Sequence, residues 1–503
     1  MAYKKTYKKK EETAKKEWKL KHPLTEEQEA IANSTDVSVM GEAVAGSGKS
    51  TTMLEMLDRK MQHLDGKAFL TLFSKALQTE LEPYSTKQLS ITTKHAMGMK
   101  LFYMNGKKPF VDKNKSKNLL IKQLKFDPSE MPDNERRNGW RQLYAMADLV
   151  DKLRVRFVDW RDISQVANIN SQYGCDVEDL SLVQELMKLS FEKAETGWID
   201  FTDMNYIPLI MDFKFDKYDL AVMDECQDFS PMDAMFLERC IAENGKMTFV
   251  GDTRQSIMGF AGADTTMMEK LRNKFNCSVY PISYTFRCPR SVVDAVVSRG
   301  HHATIKAWSG AKDGIFDPDA VYDIHGYENG TMLLSRRNAI LVPFAIKAHK
   351  AGRSVSVLGG GIEDKMLGIL RHLKCNTICE LRSLVMDEHA KKIEKLNLSP
   401  NPSASAMEFV NDLYDTLVSI INECTLVDQV DKMITELFRP KKDSLLYSSI
   451  HRSKGREADR VVILDSNNMT LNMDKLNEEE QQQEKNLCYV AMTRPKYQLD
   501  LIK

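Results

Sequence analysis

An eight-residue segment near the N-terminus combines two glycines, a lysine and a serine in a spacing suited to phosphate chemistry. It has the sequence AVAGSGKS at positions 43–50. Gly46 and Gly48 let consecutive backbone N–H groups turn toward one anion. Lys49 can reach the outer phosphates, and the hydroxyl of Ser50 can bind Mg²⁺. The segment predicts binding of a nucleoside triphosphate, and the alternative is an ordinary glycine-rich turn between a strand and a helix.

The segment is flanked by the two elements that a phosphate loop requires. An apolar run at 37–40 precedes it and a helix-like pattern at 51–57 follows, which predicts the order strand, loop and helix. Ala43 stands where the G-x-x-x-x-G-K-[ST] pattern has its first glycine, a replacement that the loop tolerates if φ stays negative. The residues predicted to contact ATP in this loop are Ala45, Gly46, Ser47, Gly48, Lys49, Ser50 and Thr51.

Two adjacent acidic residues end a second apolar run. Asp224 and Glu225 close the segment LAVMDE at 220–225, which predicts a buried strand with carboxylates at its carboxyl end. Nucleotide hydrolysis needs one carboxylate for Mg²⁺, which suits Asp224, and one to activate water, which suits Glu225. The alternative for such a pair is a solvated acidic turn, but a phosphate loop on the same sheet favours catalysis.

Three more polar residues are candidates for phosphate chemistry. Gln255 follows the next predicted strand, where its amide could sense a γ-phosphate or the attacking water, or could simply be part of a polar turn. Arg287 and Arg494 are of the residue type that neutralises charge on a transferred phosphoryl group. If Arg494, from the second half of the chain, reaches a nucleotide held by the first half, hydrolysis becomes coupled to relative motion of two lobes.

Composition places the chain among ordinary globular proteins and excludes several classes. Its 503 residues are 42% hydrophobic, and 71 acidic side chains balance 71 basic ones. No apolar run approaches the ~18 residues of a membrane span, and no apolar core follows the lysine-rich N-terminus as in a signal peptide. We therefore expect an intracellular, cytoplasmic protein without membrane contact. The nine cysteines form no paired C-x-x-C units, which favours reduced packing residues over zinc or iron–sulfur ligands.

Strand-like and helix-like patterns alternate in two parts of the chain, which predicts an α/β fold with two parallel sheets. Beyond the strand at 37–40, the predicted strands are 68–73, 89–93, 220–223, 247–250, 279–282, 332–335, 355–358, 445–448, 461–464 and 498–502. The predicted boundaries are 1–22 for a basic tail, 23–99 and 198–284 for a first α/β domain, 100–197 for a helical insertion, 285–373 and 443–503 for a second α/β domain, and 374–442 for a small helical insertion. The tail either contacts phosphates or is a solvated arm.

These motifs, in this order, resemble those of the superfamily 1 DNA helicases of the UvrD/Rep type, including the F-box DNA helicase branch. Besides the phosphate loop, the matching segments are LTEEQ at 24–28, LFSKA at 72–76, TKHA at 93–96, DECQD at 224–228, VGDTRQSI at 250–257, YTFR at 284–287, LLSRRN at 333–338, IHRSKGRE at 450–457 and NLCYVAMTR at 486–494. The resemblance extends over residues 24–496 and implies two RecA-like P-loop domains with helical insertions.

The resemblance also implies roles that spacing alone does not assign. Gln28 would recognise adenine, Phe286 would stack on it, and Glu457 would contact the ribose. Arg287 would meet the γ-phosphate and Arg494 would act as an arginine finger. The DNA contacts implied are Lys75, Thr93, His95, Phe260 and His451. Phe260 aligns with a tryptophan that stacks on a DNA base in the family, and the alternative for it is a core residue.

The function implied is that of an ATP- and Mg²⁺-dependent helicase and translocase moving 3′→5′ on single-stranded DNA. We expect a monomer acting on single-stranded and tailed duplex DNA with replication or repair proteins as partners, in a bacterial or phage-infected cell. Two alternatives stay open: a nucleotide-gated DNA-binding regulator, and a protein-stripping or RNA-directed translocase that does not unwind DNA.

Overall fold

The computed structural model describes residue 19 and residues 23–72, 75–257, 266–359, 361–373, 375–397, 404–476 and 478–503. Two six-stranded sheets, each with parallel neighbours throughout, form the centres of two lobes. The chain is therefore α/β with two RecA-like lobes and helical insertions, as the sequence predicts. The basic tail at 1–22 lies outside the described residues except for Lys19. The exact domain boundaries stay predictions.

The strands include every one that the sequence predicts, with ends that differ by a few residues. They are β1 Ser38–Ala43, β2 Ala68–Thr71, β3 Leu89–Thr92, β4 Phe110–Val111, β5 Trp198–Ile199, β6 Tyr218–Met223, β7 Ile241–Gly251, β8 Ser278–Ile282, β9 Tyr284–Thr285, β10 Lys306–Ala307, β11 Ile315–Asp317, β12 Met332–Ser335, β13 Val355–Leu358, β14 Leu445–Ser449, β15 Ala458–Ile463 and β16 Pro495–Leu501.

The first sheet has the strand order β3-β2-β6-β7-β1-β8, and the second has the order β11-β16-β15-β12-β14-β13. Every residue of β2 and of β12 is buried. Helices cover both faces of a parallel sheet, so such strands appear in sequence as continuous apolar runs. The strands that the sequence missed, β4, β5, β9, β10 and β11, are two or three residues long, too short for a recognisable pattern.

The helices cover the sheets and build the two insertions. They are α1 Glu26–Ala32, α2 Lys49–Met61, α3 Lys75–Leu81, α4 Lys94–Met104, α5 Lys115–Lys122, α6 Asp133–Arg156, α7 Ile163–Gln172, α8 Leu180–Glu195, α9 Asp203–Ile210, α10 Pro231–Arg239, α11 Met267–Phe275, α12 Arg290–Ser298, α13 Asn338–Lys350, α14 Ile362–His372, α15 Ile378–Asn397, α16 Ala404–Asn422, α17 Val427–Phe438, α18 Ile450–Ser453 and α19 Glu478–Met492.

Strand order brings the sequence-predicted site residues to one edge. In the first sheet β6, β7 and β1 are neighbours, with Met223 beside Phe249 and Gly41 beside Val250. Their carboxyl ends lead into the acidic pair, the segment 252–256 and the phosphate loop respectively. Ligands of open parallel sheets bind outside these strand ends. The sheet therefore places three separate motifs side by side.

Apolar contacts join the two lobes close to that edge. Val44, Ala45 and Ile257 of the first lobe belong to the same buried cluster as Tyr489 and Val490 of α19 in the second. Burial of apolar surface from both sides holds the lobes together at the phosphate loop. All nine cysteines are free thiols, as expected. Within the described ranges, no helix is both long enough and apolar enough to cross a membrane.

Candidate nucleotide site between the lobes

The phosphate loop has the backbone that its sequence predicts. Gly46 and Gly48 have φ of +70° and +75°, and a Cβ on Gly46 would lie 2.5 Å from the Cβ of Arg287. Gly48 is the N-cap of α2, which begins at Lys49. Ala43 lies in the extended backbone of β1, so the missing first glycine costs the loop nothing. The positive end of α2 and the inward-turned N–H groups make this loop suited to an anion.

Lys49 is paired with a carboxylate that follows β6. Its Nζ lies 2.8 Å from Oε1 of Glu225, and Asp224 accepts a hydrogen bond from the Glu225 N–H at 2.9 Å. Burial opposes the charge on Lys49, but the surrounding carboxylates outweigh burial and raise its pKa. Burial likewise opposes the charge on Glu225, and Lys49 overcomes it and lowers the pKa of that carboxyl. Lys49 and Glu225 are therefore an ion pair at neutral pH.

Glu225 adopts a backbone conformation that is unusual for its residue type. Its φ is +55°, in the left-handed region that favours glycine. This turn directs the carboxylate back toward Lys49 while Asp224 stays buried at the end of β6. Burial, and next the charge of Glu225, raise the pKa of Asp224 and favour its protonated form. A bound divalent cation would favour the carboxylate instead. Strain of this kind concentrates at functional sites.

The residues predicted to hold Mg²⁺ and phosphates suit those ligands. Ser50 lies in the first turn of α2 and Asp224 directly after β6, and hydroxyl and carboxylate oxygens are the donors that Mg²⁺ prefers. The Oγ of Ser47 is buried without a hydrogen-bond partner, as expected for a group that would bond to a ligand. The donor set therefore fits Mg²⁺ bound with a triphosphate.

The predicted base-binding residues surround the outer side of the loop. Gln28 is buried, and its side chain accepts from the Thr25 N–H at 2.9 Å and donates to the Ser47 carbonyl at 3.1 Å. The Gln28 side chain therefore both caps the N-terminus of α1 and binds the backbone of the phosphate loop. Phe286 is 43% exposed, and its ring lies 5.8 Å from that of Trp308. This pair offers an open aromatic surface beside the loop.

Arg287 and Glu457 contact each other. Nε of Arg287 donates to Oε2 of Glu457 at 2.8 Å, and Lys496 lies 2.6 Å from the other oxygen of the same carboxylate. These cations lower the pKa of Glu457 although burial opposes them. Arg287 also donates to the Thr493 carbonyl at 3.3 Å. The residues that the resemblance assigns to the γ-phosphate and the ribose thus lie together where the second lobe meets the phosphate loop.

Arg494 reaches the first lobe. Its side chain is buried, and Nη2 donates to Oε1 of Gln255 at 3.3 Å. Burial, and next the charge of Arg287, lower the pKa of Arg494 to about 10, so it stays protonated at neutral pH. The structure therefore brings together the glutamine and the arginine that the sequence selects, one from each lobe.

Other interlobe contacts involve residues for which the sequence predicts no individual role. Lys454 lies 2.7 Å from Oδ1 of Asp228, and Asn486 donates to the Ser256 carbonyl at 2.9 Å. The hydroxyl of Tyr489 lies 2.8 Å from the Ala45 nitrogen. Lys454, Asn486 and Tyr489 each belong to a motif quoted above, but their residue types carry no signal that would select them individually.

The predicted DNA contacts occupy several elements. Thr93 is the N-cap of α4 after β3, and His95 in the same turn lies 6.4 Å, ring to ring, from the exposed Phe201. His451 is the second residue of the short α18 after β14 in the second lobe, and burial lowers its pKa to about 3. Lys75 begins α3, and its side chain lies outside the description. Phe260 lies outside the described residues.

These features define a two-lobed P-loop protein of RecA-like fold, with the candidate nucleotide site where the lobes meet. The model of the UvrD/REP helicase N-terminal domain matches residues 24–276, and that of the UvrD-like helicase C-terminal domain matches residues 364–503. The chain belongs to the UvrD/Rep helicase family.

Similar proteins include one yeast helicase and one bacterial helicase. F-box DNA helicase protein 1 of Schizosaccharomyces pombe is 22% identical over 91% of this chain and 55% of its own length. ATP-dependent DNA helicase UvrD2 of Mycobacterium bovis is 23% identical over 57% of this chain and 47% of its own. The chain thus spans about half the length of these relatives.

Proposed function

We propose that this protein is an ATP-dependent DNA helicase that hydrolyses ATP between its lobes and moves 3′→5′ along single-stranded DNA. The observation that carries the proposal is the hydrogen bond from Arg494 to Gln255. It joins a buried cation of the second lobe to the segment after β7 in the first lobe, and β7 is the neighbour of the strand that leads to the phosphate loop. Charge stabilisation on the phosphoryl group and movement of the lobes therefore depend on the same groups. Membership of the helicase family supports DNA as the substrate.

The first lobe would bind the triphosphate through Ala45, Gly46, Ser47, Gly48, Lys49, Ser50 and Thr51. Bound Mg²⁺, held by Ser50 and Asp224, would neutralise phosphate charge. Lys49 would exchange its ion pair with Glu225 for the outer phosphates, which leaves the Glu225 carboxylate to accept a proton from water. Gln255 would orient that water, while Arg287 and Arg494 would neutralise the developing charge.

The base and sugar would be held at the outer side of the loop. Phe286 would stack on adenine, because its exposed ring lies beside the loop. Gln28 and Glu457 would contribute the polar contacts to adenine and ribose. The side chain of Gln28 uses one lone pair for the Thr25 N–H and one N–H for the Ser47 carbonyl, so a second N–H and a second lone pair remain for adenine.

DNA would bind across both lobes as a single strand. Lys75, Thr93 and His95 of the first lobe and His451 of the second would contact it, and Phe260 would stack on a base. Phosphate contacts make the affinity strongly salt-dependent, and stacking makes it weakly sequence-dependent. We propose that a monomer loads on single-stranded or tailed duplex DNA and works with replication or repair proteins.

The first test is unwinding of a short duplex that carries either a 3′ or a 5′ single-stranded tail. We expect ATP-dependent opening of the 3′-tailed duplex only. Opening from the 5′ tail alone would contradict the proposed direction. DNA-stimulated ATP hydrolysis without opening of either duplex would favour a translocase that strips proteins, and DNA binding that responds to ATP without hydrolysis would favour a nucleotide-gated regulator.

A second test separates ATP binding from hydrolysis. Glu225→Gln removes the proposed base and keeps the shape of the side chain, so ATP and DNA should still bind while turnover is lost. Glu238→Gln, at an exposed ion pair with Lys274 on the same lobe, is the matched control and should hydrolyse ATP normally. Normal turnover by Glu225→Gln would remove Glu225 from the mechanism.

A further inference from the structure

A chain of buried hydrogen bonds crosses between the lobes at the phosphate loop and contains a tyrosine. The Ala45 N–H donates to Oη of Tyr489 at 2.8 Å. Because that N–H can only donate, the hydroxyl keeps its own proton for Oδ2 of Asp252, 3.2 Å away. Tyr489 and Asp252 are both fully buried, so each bond is shielded from water. Tyr489 thus joins the phosphate loop to the segment 252–256.

The chain continues from Asp252 to the two residues assigned to phosphoryl chemistry. Oδ2 of Asp252 also accepts from Nε2 of Gln255 at 2.6 Å. This bond turns the carbonyl end of the Gln255 amide toward Arg494, whose Nη2 donates to it at 3.3 Å. We call this series the interlobe relay: Ala45 N–H, Tyr489, Asp252, Gln255 and Arg494.

A single helix holds the middle of the relay. Tyr489 lies on α19, and Arg494 follows two residues after its end. Asn486, one turn before Tyr489, donates to the carbonyls of Ser256 at 2.9 Å and Thr253 at 3.2 Å. The segment 252–256 is therefore held by two side chains of α19 in the other lobe and by Arg494, two residues after that helix. In the sequence this segment leads within four residues to Phe260, the predicted base-stacking residue.

We propose that Tyr489 is a positioning residue that transmits the state of the phosphate loop to Gln255 and Arg494. The inference rests on the proposed function and deepens it. Binding of a triphosphate shifts the Ala45 N–H, the Tyr489 hydroxyl follows it, and Asp252 passes the change to the Gln255 amide. Tyr489 touches no reacting atom in this scheme, and its contribution is to the alignment of the groups that do.

A second buried tyrosine provides the matched control. Tyr447 is also fully buried in the second lobe, and its hydroxyl lies 3.0 Å from that of Tyr322, away from the nucleotide site. Tyr447→Phe and Tyr489→Phe each remove one buried hydroxyl and keep the ring. A fall in kcat that comes only from weakened packing or a missing hydrogen bond should appear in both variants. A fall in kcat that comes from lost positioning of Gln255 and Arg494 should appear only in Tyr489→Phe.

The experiment measures DNA-stimulated ATP turnover, KM for ATP, the melting temperature and hydrogen exchange at the Ala45 amide in the full chain. We expect Tyr489→Phe to lower kcat about tenfold or more, with KM within about threefold of wild type. Ala45 should exchange faster, because its acceptor is gone. Tyr447→Phe should leave kcat and the exchange at Ala45 unchanged. Wild-type kcat in Tyr489→Phe, or an equal fall in both variants, would overturn the inference.

Two further arms keep the test decisive. If Tyr489→Phe does not fold, Asp252→Ala replaces it, because it removes the oxygen that accepts from both Tyr489 and Gln255, and kcat should fall in the same way. Wild-type kcat in Asp252→Ala would overturn the inference. If the wild-type chain hydrolyses no ATP, the proposed function fails, and unchanged exchange at Ala45 in Tyr489→Phe would then overturn the relay as well.

Discussion

Two clusters of buried charge in the described part of the chain differ in where their members come from. The first, which we call the insertion cluster, lies where the helical insertion packs on the first lobe: Lys115 of α5 and Arg154 of α6 both pair with Asp203 at the start of α9, each at 2.6 Å. Arg154 also lies 2.8 Å from Asp200. In the nucleotide site, Lys49 and Glu225 come from the first lobe, and Lys454 and Arg494 from the second.

The insertion cluster joins helices that belong to one packed unit. Lys115 donates to the Ser190 carbonyl of α8 at 2.7 Å, and the Asp200 and Asp203 side chains accept from each other's backbone N–H groups. Nothing in this arrangement has to open for the protein to act. Buried ion pairs of this kind fix the relative positions of elements rather than add much net stability.

The nucleotide cluster has bonds that a ligand would replace. Lys49 forms an ion pair with Glu225 at the position where a phosphate would bind. The buried Ser47 hydroxyl has no hydrogen-bond partner. Its other ion pair, Lys454 with Asp228, crosses the boundary between lobes. Burial of charge alone therefore does not identify a functional site. The informative difference is whether the partners lie on elements that can separate or on groups that a ligand can displace.

The largest expected effect tests the insertion cluster. Arg154→Met should lower the free energy of unfolding by about 3–5 kcal/mol, because it leaves Asp200 buried without its cation and Asp203 with Lys115 alone. Urea denaturation measures this loss. ATP turnover per folded molecule should stay at the wild-type level. Arg161→Met, at an exposed pair with Asp159, is the control and should cost less than about 1 kcal/mol. A fall in turnover without a fall in stability would contradict the structural role.

Lys49→Ala should show the opposite pattern. We expect DNA-stimulated ATP turnover to fall by about 10²–10³-fold or more, because a positive charge on the outer phosphates is lost. Steady-state ATP hydrolysis measures the change. The melting temperature should fall less than in Arg154→Met, because the side chain of Glu225 is 23% exposed and stays partly hydrated without Lys49. Lys60→Ala, at the other end of α2, is the matched control. Equal turnover in the two variants would mean that the phosphate loop is not the catalytic site.

Lys454→Met tests the pair that joins the lobes. The variant leaves Asp228 buried without its cation, and burial already raises the pKa of that carboxyl. We expect kcat for DNA-stimulated hydrolysis to fall about tenfold, since closure of the lobes loses a charge-assisted bond. Lys432→Met, at an exposed pair in the second lobe, should hydrolyse ATP like wild type. A loss of stability without a change in kcat would place Lys454 with the insertion cluster instead.

The smallest effect concerns a partly buried pair, Glu29 and Arg59, that joins α1 to α2. The hydrogen bond from Arg59 lowers the pKa of Glu29 below its ordinary value. Glu29 therefore adds stability above that ordinary value, and the contribution is lost as the pH falls through its lowered pKa. Glu29→Gln should cost less than about 1 kcal/mol at pH 7, with no deficit at strongly acidic pH, in urea denaturation as a function of pH. Glu80→Gln, at an exposed position of the first lobe, is the control, and a deficit in Glu29→Gln that is the same at every pH would exclude the ion pair as its cause.

Most of the fold could be predicted because its elements carry local signals. Continuous apolar runs such as β2 and β12 indicate strands buried on both faces, and the glycines at 46 and 48 indicate a loop that needs positive φ. Strands of two residues, such as β4 and β5, carry no such pattern because hydrogen bonds to a distant partner define them. Their existence could not be predicted from the sequence.

The candidate site was predictable in its members and less so in its connections. Gln255 and Arg494 were selected separately, and the structure adds that they are hydrogen-bonded. Tyr489 and Lys454 lay within recognised motifs, but residue type gave no reason to choose them. Whether a buried tyrosine hydroxyl meets a backbone N–H of another lobe depends on how the lobes pack, and no local pattern encodes that.

The sequence by itself determined which segments form strands and helices, where the phosphate loop lies and to which family the chain belongs. These properties follow from periodicity, glycine positions and motif spacing, all of which act over a few residues. Only the tertiary structure decided that Ala45 and Tyr489, 444 residues apart, share a hydrogen bond, and that Lys454 pairs with Asp228. The physical reason is that such pairs form when two separately built sheets bury apolar surface against each other, and that packing fixes which polar groups must find partners across the boundary.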